Sequence, residues 1–215
     1  MPSSSGNLPV SPNPFHLSAD ANERLQRWLH AVLETPGLTS LTDLEEARRM
    51  LLEDSLRAVE LVRDLEGPIV DVGSGGGAPG IPLAAALPER EVTLLEAERR
   101  KVDFLRRWTE ELPNLRVVWG RAEEQEVDRY GVALAKALAP PPVAAEWCLP
   151  LVRPGGAAVL WVGPTAELEQ VAGVAERVGG ATPEDHHGLL LIRKLAPTPK
   201  GFPRRPGMAR KRPLV

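Results

Sequence analysis

Near the start of the chain, apolar residues recur at the spacing of an amphipathic helix in two separate stretches. The first stretch predicts a helix over residues 19–34, which Ser18 can cap. The second stretch predicts a longer helix over residues 43–65, with Thr42 or Asp43 as its N-cap. Together these two helices predict an N-terminal helical arm.

From residue 68 onward, short apolar runs alternate with helical patterns. The runs predict strands at residues 69–72, 91–96, 115–119, 132–135, 157–162 and 189–193. The patterns between them predict helices at residues 81–87, 98–112, 140–151 and 167–178. Strands that alternate with helices form βαβ units, in which the strands run parallel. The predicted fold class is therefore α/β, with a mainly parallel sheet and helices on both faces.

The two ends of the chain differ in composition from this α/β region. Residues 1–17 are rich in Ser, Pro and Asn and predict a flexible leader. Residues 196–215 form a basic tail that is too rich in proline for a helix. We therefore predict four parts, namely the leader, the helical arm over residues 18–66, the main domain over residues 67–195, and the tail.

The overall composition limits the class of protein. Hydrophobic residues make up 43% of 215 residues, which is enough for a sizeable core. No apolar run approaches the roughly 18–20 residues that span a bilayer. A single cysteine, Cys148, excludes a disulfide framework and a multi-thiolate metal site. Because the N-terminus shows no secretory signal, we expect a cytoplasmic protein. The five tryptophans mostly fall on apolar faces, so we expect them to pack in the core.

The net charge of −3 is unevenly distributed along the chain. Residues 188–215 contain eight basic and no acidic residues, so residues 1–187 contain 18 basic and 29 acidic residues, a net charge of −11. This asymmetry predicts a localised contact with an anionic partner. Five more basic residues crowd one predicted helix, which is either a solvated face or a second phosphate-contacting strip. These are Arg99, Arg100, Lys101, Arg106 and Arg107.

A glycine-rich turn, DVGSGGGAPG at residues 71–80, follows the first predicted strand and precedes a helix. This context is typical of a nucleotide-binding loop, because glycines let the backbone approach a ligand. The spacing Gly75-x-Gly77-x-x-Gly80 also fits a dinucleotide site, so an NAD enzyme stays open. The Asp71 carboxylate instead favours a ligand with positive charge, such as S-adenosylmethionine. Glu96, at the end of the next strand, suits ribose hydroxyls in either case.

Six sequence motifs follow one another along the chain, namely DVGSGGGAPGIPLA, VTLLEAERRKVDFL, GRAEE, AKALAP, CLPLVRPGG and PRRPGMARKRPL. Together they resemble the bacterial small-subunit ribosomal RNA guanine-N7 methyltransferase family, also called the glucose-inhibited division protein B family. The resemblance covers about residues 20–215. It implies a class I, Rossmann-like methyltransferase fold and S-adenosylmethionine as cofactor. The implied reaction is methyl transfer to N7 of a guanine in small-subunit (16S) ribosomal RNA, either as RNA or in a 30S-type particle.

Carried over position by position, the resemblance implies ten cofactor contacts. They are Gly73, Gly75, Gly77 and Ala78 at the methionine end, Glu96, Ala97 and Glu98 at the ribose, Ala122 and Glu123 at the adenine, and Lys136 after the fourth strand. The basic tail supplies candidate RNA contacts at Arg204, Arg205, Arg210, Lys211 and Arg212. We assign no catalytic residue, metal or membrane partner, and we expect a monomer.

Three positions depart from the family pattern. Lys136 stands where the family usually has Arg, which keeps the charge but loses the planar fork. Leu51 and Val162 stand where many members have His and Lys. The departures at Leu51 and Val162 motivate one alternative, a non-catalytic RNA- or ribosome-binding relative. A methyltransferase of the same fold that acts on a small molecule or a protein also stays open, as does the NAD enzyme.

Overall fold

The computed structural model describes Phe15 and residues 17–214. Most of the predicted leader, residues 1–17, lies outside the described residues. The first helix, α1 (Ala19–Glu34), has the predicted bounds, and the Ser18 hydroxyl accepts a hydrogen bond from the Ala21 N–H at 3.1 Å. The prediction of both the helix and its cap is confirmed.

The second predicted helix is broken into shorter pieces. These are α2 (Leu44–Ala47), a π-helical segment (Arg48–Glu53), α3 (Asp54–Leu56) and α4 (Val59–Arg63). Asp43 is the N-cap, since its carboxylate accepts the Glu46 N–H at 2.8 Å. The prediction of one continuous helix over residues 43–65 is therefore wrong. A π-helical turn within a helix frequently marks a functional site.

Seven strands form one sheet. They are β1 (Ile69–Val72), β2 (Val92–Glu96), β3 (Leu115–Trp119), β4 (Tyr130–Ala135), β5 (Val152–Trp161), β6 (Glu184–Asp185) and β7 (Leu189–Arg193). Their order is β3-β2-β1-β4-β5-β7-β6. The first five in this order are parallel, whereas β7 runs antiparallel to β5 and β6. The sequence did not predict the two-residue β6, but the mainly parallel α/β sheet is confirmed.

The remaining helices cover both faces of this sheet. They are α5 (Gly80–Ala86), α6 (Arg99–Arg106), α7 (Pro141–Cys148) and α8 (Leu168–Arg177). One core joins α5, α6 and the N-terminal helices to one face, and a second core joins α7 and α8 to the other face. The central strands β1, β2 and β4 are buried throughout, as expected when both faces are covered.

The tail departs from its prediction. A short helix, α9 (Met208–Lys211), forms between Pro206 and Pro213, and its buried Ala209 packs in the second core. The six residues between these two prolines are enough for one helical turn, although the tail as a whole cannot form a longer helix. Among the described helices, none combines the length and apolar character that a membrane crossing requires.

Candidate cofactor pocket

The glycine-rich turn connects β1 to α5 at the carboxyl end of the sheet. The strand order reverses next to β1, between β2 and β4, and ligands of open α/β sheets bind outside the strand ends at such a point. Gly73 and Gly75 have φ values of 71° and 57°, a region that favours glycine. A Cβ at Gly73 would also collide with the side chain of Leu138. The backbone conformation therefore favours glycine at both positions, and the contact with Leu138 adds a steric reason at Gly73.

Asp71 lies beneath the turn rather than in a position to contact a ligand. Its side chain is 1% exposed, and Oδ2 accepts the Gly80 N–H at 3.0 Å. Burial raises the pKa of this carboxyl from 3.8 to about 7. The expectation that the Asp71 charge selects a cationic ligand is therefore not supported by its position. The carboxyl instead fixes the start of α5 against β1.

The raised pKa of Asp71 predicts a pH-dependent stability. Between pH 3.8 and about 7 the unfolded chain loses the Asp71 proton while the folded protein keeps it, so a rise in pH favours unfolding over this range. In D71N the amide oxygen can still accept the Gly80 N–H, and this dependence is absent. Urea unfolding of both proteins from pH 4 to pH 8 should show wild type losing stability relative to D71N up to about pH 7. If the free energies of unfolding of the two proteins changed with pH in parallel, burial would not raise the pKa of Asp71.

Glu96 ties the end of β2 to the turn. Its Oε2 accepts the Gly75 N–H at 2.9 Å, and its Oε1 accepts the Glu98 N–H at 2.7 Å. A carboxylate has about four acceptor sites, so two remain for hydroxyl donors. Since Glu96 also lines the cavity described next, its remaining acceptors are available to a bound ribose.

A cavity of about 500 Å³ opens at this edge of the sheet, within the range typical of small-molecule sites. Eight of the ten predicted cofactor residues line it, namely Gly73, Gly75, Ala78, Glu96, Ala97, Ala122, Glu123 and Lys136. Gly77 and Glu98 do not. The Gly77 N–H donates to the Ser74 carbonyl at 2.7 Å, and the Glu98 carboxylate pairs with Lys101 at 3.0 Å. These two residues shape the turns that surround the cavity.

The comparison with known proteins identifies the family. The family described as GidB, rRNA small subunit methyltransferase G, matches residues 20–184. The chain belongs to this family. It is 36% identical over 198 residues to ribosomal RNA small subunit methyltransferase G of Moorella thermoacetica, covering 83% of this chain and 82% of that protein. The relative of the same name from Synechococcus elongatus is 38% identical over 199 residues, with the same coverage of both chains.

Solved structures support the fold of this methyltransferase. A SAM-dependent O-methyltransferase from Thermotoga maritima matches with a TM-score of 0.55 and 16% identity, over 77% of this chain and 74% of that chain. The O-methyltransferase NcsB1 of neocarzinostatin biosynthesis matches with a TM-score of 0.53 and 18% identity, over 71% of this chain and 58% of that chain. The protein is a methyltransferase with the Rossmann-like fold.

The N-terminal arm of the methyltransferase contributes to the cavity, which the sequence did not predict. Trp28 and Val32 from α1, together with Leu38 and Leu51, line it. The Trp28 Nε1–H donates to the Gly76 carbonyl at 2.9 Å, which attaches α1 directly to the glycine-rich turn. Leu51, one of the three departures from the family pattern, therefore presents an apolar surface to the cavity.

Lys136 connects the segment after β4 to the same arm. Its Nζ lies 3.1 Å from Asp54 Oδ2 and donates to the Met50 carbonyl in the π-helical segment. Its side chain is 12% exposed. Both bonds need only an ammonium group, so the lysine suffices here without the planar fork of an arginine. Val162, the third departure, does not line the cavity, and its N–H donates to the Gly188 carbonyl at 2.9 Å.

The structure separates the predicted RNA contacts of the tail into two groups. Arg204 pairs with the buried Glu146, and Arg210 lines the cavity and donates to the Leu138 carbonyl at 3.0 Å. The remaining three are exposed side chains, namely Arg205, Lys211 and Arg212. The Gly207 N–H also donates to Glu123 Oε1 at 3.0 Å. The tail therefore packs against the adenine side of the predicted site.

Side chains suited to other chemistry are not assembled into a site. Cys148 is buried, and burial raises the pKa of its thiol well above the usual range. Among the described residues, no group of three or more His, Cys, Asp or Glu residues is placed to hold a metal ion. His186 and His187 lie in the turn before β7, away from the cavity.

Proposed function

We propose that the protein transfers the methyl group of S-adenosylmethionine to N7 of a guanine in small-subunit (16S) ribosomal RNA. Membership of the rRNA small subunit methyltransferase G family, over residues 20–184, is the observation that carries this proposal. We infer that it acts in the cytoplasm, on the RNA or on a 30S-type particle. We also infer that it acts as a monomer.

The residues of the cavity fit S-adenosylmethionine. A Cβ at Gly75 would meet no atom nearer than the Gly73 carbonyl oxygen at 3.9 Å, so the missing side chain leaves open space at the turn. Glu96 has acceptors for ribose hydroxyls, and apolar side chains such as Leu95 and Trp28 line the walls. The ten predicted cofactor contacts are part of the proposal, and Gly77 and Glu98 would act through the shape of their turns.

The bound cofactor supplies an activated methyl group on a sulfonium. Guanine N7 has a free lone pair at neutral pH, so the reaction requires no base from the protein and no proton moves before methyl transfer. The protein then accelerates the reaction mainly by aligning the two reactants. Such alignment can correspond to an effective molarity on the order of 10⁵–10⁸ M. Lys136, held by Asp54 and the Met50 carbonyl, fixes the segment after β4 that borders the cavity.

Transfer of labelled methyl from S-adenosylmethionine tests the proposal directly. Purified protein is incubated with 30S particles and, separately, with protein-free 16S ribosomal RNA, and the labelled nucleoside is identified and mapped. We expect 7-methylguanine at one position. A G173A variant serves as control, because a Cβ at this helical glycine meets no atom within 4 Å. Label on an RNA atom other than guanine N7 would contradict the proposed target atom. No label on either RNA while cofactor still binds would favour the small-molecule or non-catalytic alternatives.

A further inference from the structure

Trp119 is the exception to the expected core packing of the tryptophans. It is 55% exposed, whereas Trp28, Trp108 and Trp147 are each at most 8% exposed. It ends β3 and is paired with Glu96 at the end of β2. Because these parallel strands end at the same edge of the sheet, Trp119 lies on the edge where the cofactor cavity opens.

The indole of Trp119 is held in a fixed position. Its Nε1–H donates to the Ala97 carbonyl at 3.0 Å, and the guanidinium of Arg99 lies over the ring, 4.8 Å from its centroid. Ala97 and Arg99 both follow β2. A large ring that is already fixed loses little conformational entropy when a flat ligand stacks on it.

A groove of about 340 Å³ adjoins this ring. Its lining residues are Ala97, Trp119, Gly120, Arg121 and Glu124. Three of them, Ala97, Gly120 and Arg121, also line the cofactor cavity. The groove is therefore a direct neighbour of the cavity and lies on its β3 side.

The stretch of chain that leads from α6 to the groove is richer in basic residues than the rest of the body. Residues 99–121 contain seven basic and three acidic residues, a net charge of +4. The rest of residues 1–187 then contains 11 basic and 26 acidic residues, a net charge of −15. The acidic group within the groove, Glu124, accepts the Arg121 N–H at 3.2 Å. The side chains of Arg99 and Arg121 are both exposed, although Arg99 also pairs with Asp103 at 3.2 Å. Two exposed cations beside the groove favour an anionic ligand.

We propose that the Trp119 groove binds an unpaired nucleotide of the substrate RNA, with its base stacked on the indole and its phosphates beside Arg99 and Arg121. Positively charged grooves that present aromatic rings are the usual means of binding single-stranded RNA. An apolar protein surface would fit a groove with charged side chains less well. The inference rests on the proposed function and adds an RNA contact on the β3 side, distinct from the basic tail.

Variants of Trp119 test the stacking. We expect W119A to weaken binding of a fluorescein-labelled oligouridylate 12-mer by about 5-fold to 150-fold, the range for loss of one stacked base. W119F keeps an aromatic ring and should stay within about 3-fold of wild type. Affinity for S-adenosylmethionine should be unchanged in both variants. In methyl transfer to 30S particles, W119A should raise KM for the particle and leave kcat unchanged.

The matched control is L195A. Leu195 is 67% exposed and follows β7, at the opposite edge of the sheet, so its removal should leave RNA affinity unchanged. Wild-type affinity of W119A for the 12-mer, or no binding of the 12-mer by wild type, would overturn the proposal. An equal loss of RNA affinity in W119A and W119F, together with weaker cofactor binding, would also overturn the proposal. It would show that Trp119 acts through its hydrogen bond to the Ala97 carbonyl and not through stacking.

Two further outcomes separate this inference from the proposed function. A defect of W119A on 30S particles without any defect on the 12-mer would indicate a ribosomal protein as the partner and would overturn the RNA contact. RNA binding that depends on Trp119 in a protein that transfers no methyl to any RNA would support the groove while the proposed function fails.

Discussion

Replacement of Gly75 by aspartate is expected to abolish binding of S-adenosylmethionine, with at least about a 100-fold rise in Kd. Gly75 has a φ of 57°, which costs a residue with a side chain about 1–2 kcal/mol. Its missing Cβ faces open space, so an aspartate would extend into the cofactor site. The new carboxylate would also lie near Glu96, whose Oε2 accepts the Gly75 N–H at 2.9 Å, and two carboxylates at this distance repel.

Titration calorimetry measures the Kd, and far-ultraviolet circular dichroism checks that the fold is kept. G75A separates backbone strain from the added charge, since it brings a Cβ without a carboxylate, and we expect it to bind with an intermediate Kd. The tolerated control is G173A in α8, where alanine also reduces the entropy of the unfolded chain. Binding by G75D within about 3-fold of wild type would refute the assignment of the turn to the cofactor.

The main architecture was predictable because it depends on local patterns. The strands β1, β2 and β4 consist mostly of apolar residues because both of their faces are buried, and such runs are visible in the sequence. The turn at residues 71–80 was equally visible, because positive φ values favour glycine. Eight of the ten residues that the resemblance implied as cofactor contacts line one cavity, and their role remains a prediction.

The π-helical segment had a local signal that the helical interpretation overlooked. In the second half of the arm the buried apolar residues are Ala47, Leu52, Leu56, Ala58, Val59, Val62 and Leu65. From Leu52 onward, buried residues recur at helical spacing, at positions 52, 56, 59, 62 and 65, whereas Ala47 and Leu52 are five residues apart, which is longer than one α-helical turn. A wider turn between Ala47 and Leu52 would have accounted for this interval. It also places the Met50 carbonyl beside Lys136.

Contacts between distant segments could not be predicted from one sequence. Trp28 and Gly76 are 48 residues apart, and the pattern that placed Trp28 on the apolar face of α1 gave no indication of a bond to the glycine-rich turn. The charge of Asp71 was visible, but its burial under the turn depends on how α5 packs on β1. Trp119 is exposed because β3 is an edge strand, a property of the sheet order rather than of the strand itself.

Replacement of Arg204 by alanine is expected to destabilise the protein by about 3–5 kcal/mol, as is typical when one partner of a buried ion pair is removed. Arg204 binds Glu146 with two parallel bonds, Nε to Oε1 at 2.5 Å and Nη2 to Oε2 at 2.6 Å. The side chain of Glu146 is 3% exposed, so R204A leaves a carboxylate without a partner inside the protein. Urea unfolding, followed by circular dichroism, measures the loss.

The same substitution should weaken cofactor binding, because Arg204 also fixes the tail. Its Nη1 donates to the Arg212 carbonyl at 2.9 Å, and this hydrogen bond spans α9. Gly207 and Arg210 lie between the two bonded residues in the chain, and both line the cavity. The double variant E146Q/R204Q removes both charges and should recover most of the stability. The neighbouring Arg205 is exposed, and R205A should change stability by less than about 0.5 kcal/mol. If R204A instead lowered RNA affinity alone and left stability unchanged, Arg204 would be a free RNA contact, and the tail would not depend on the Glu146 pair.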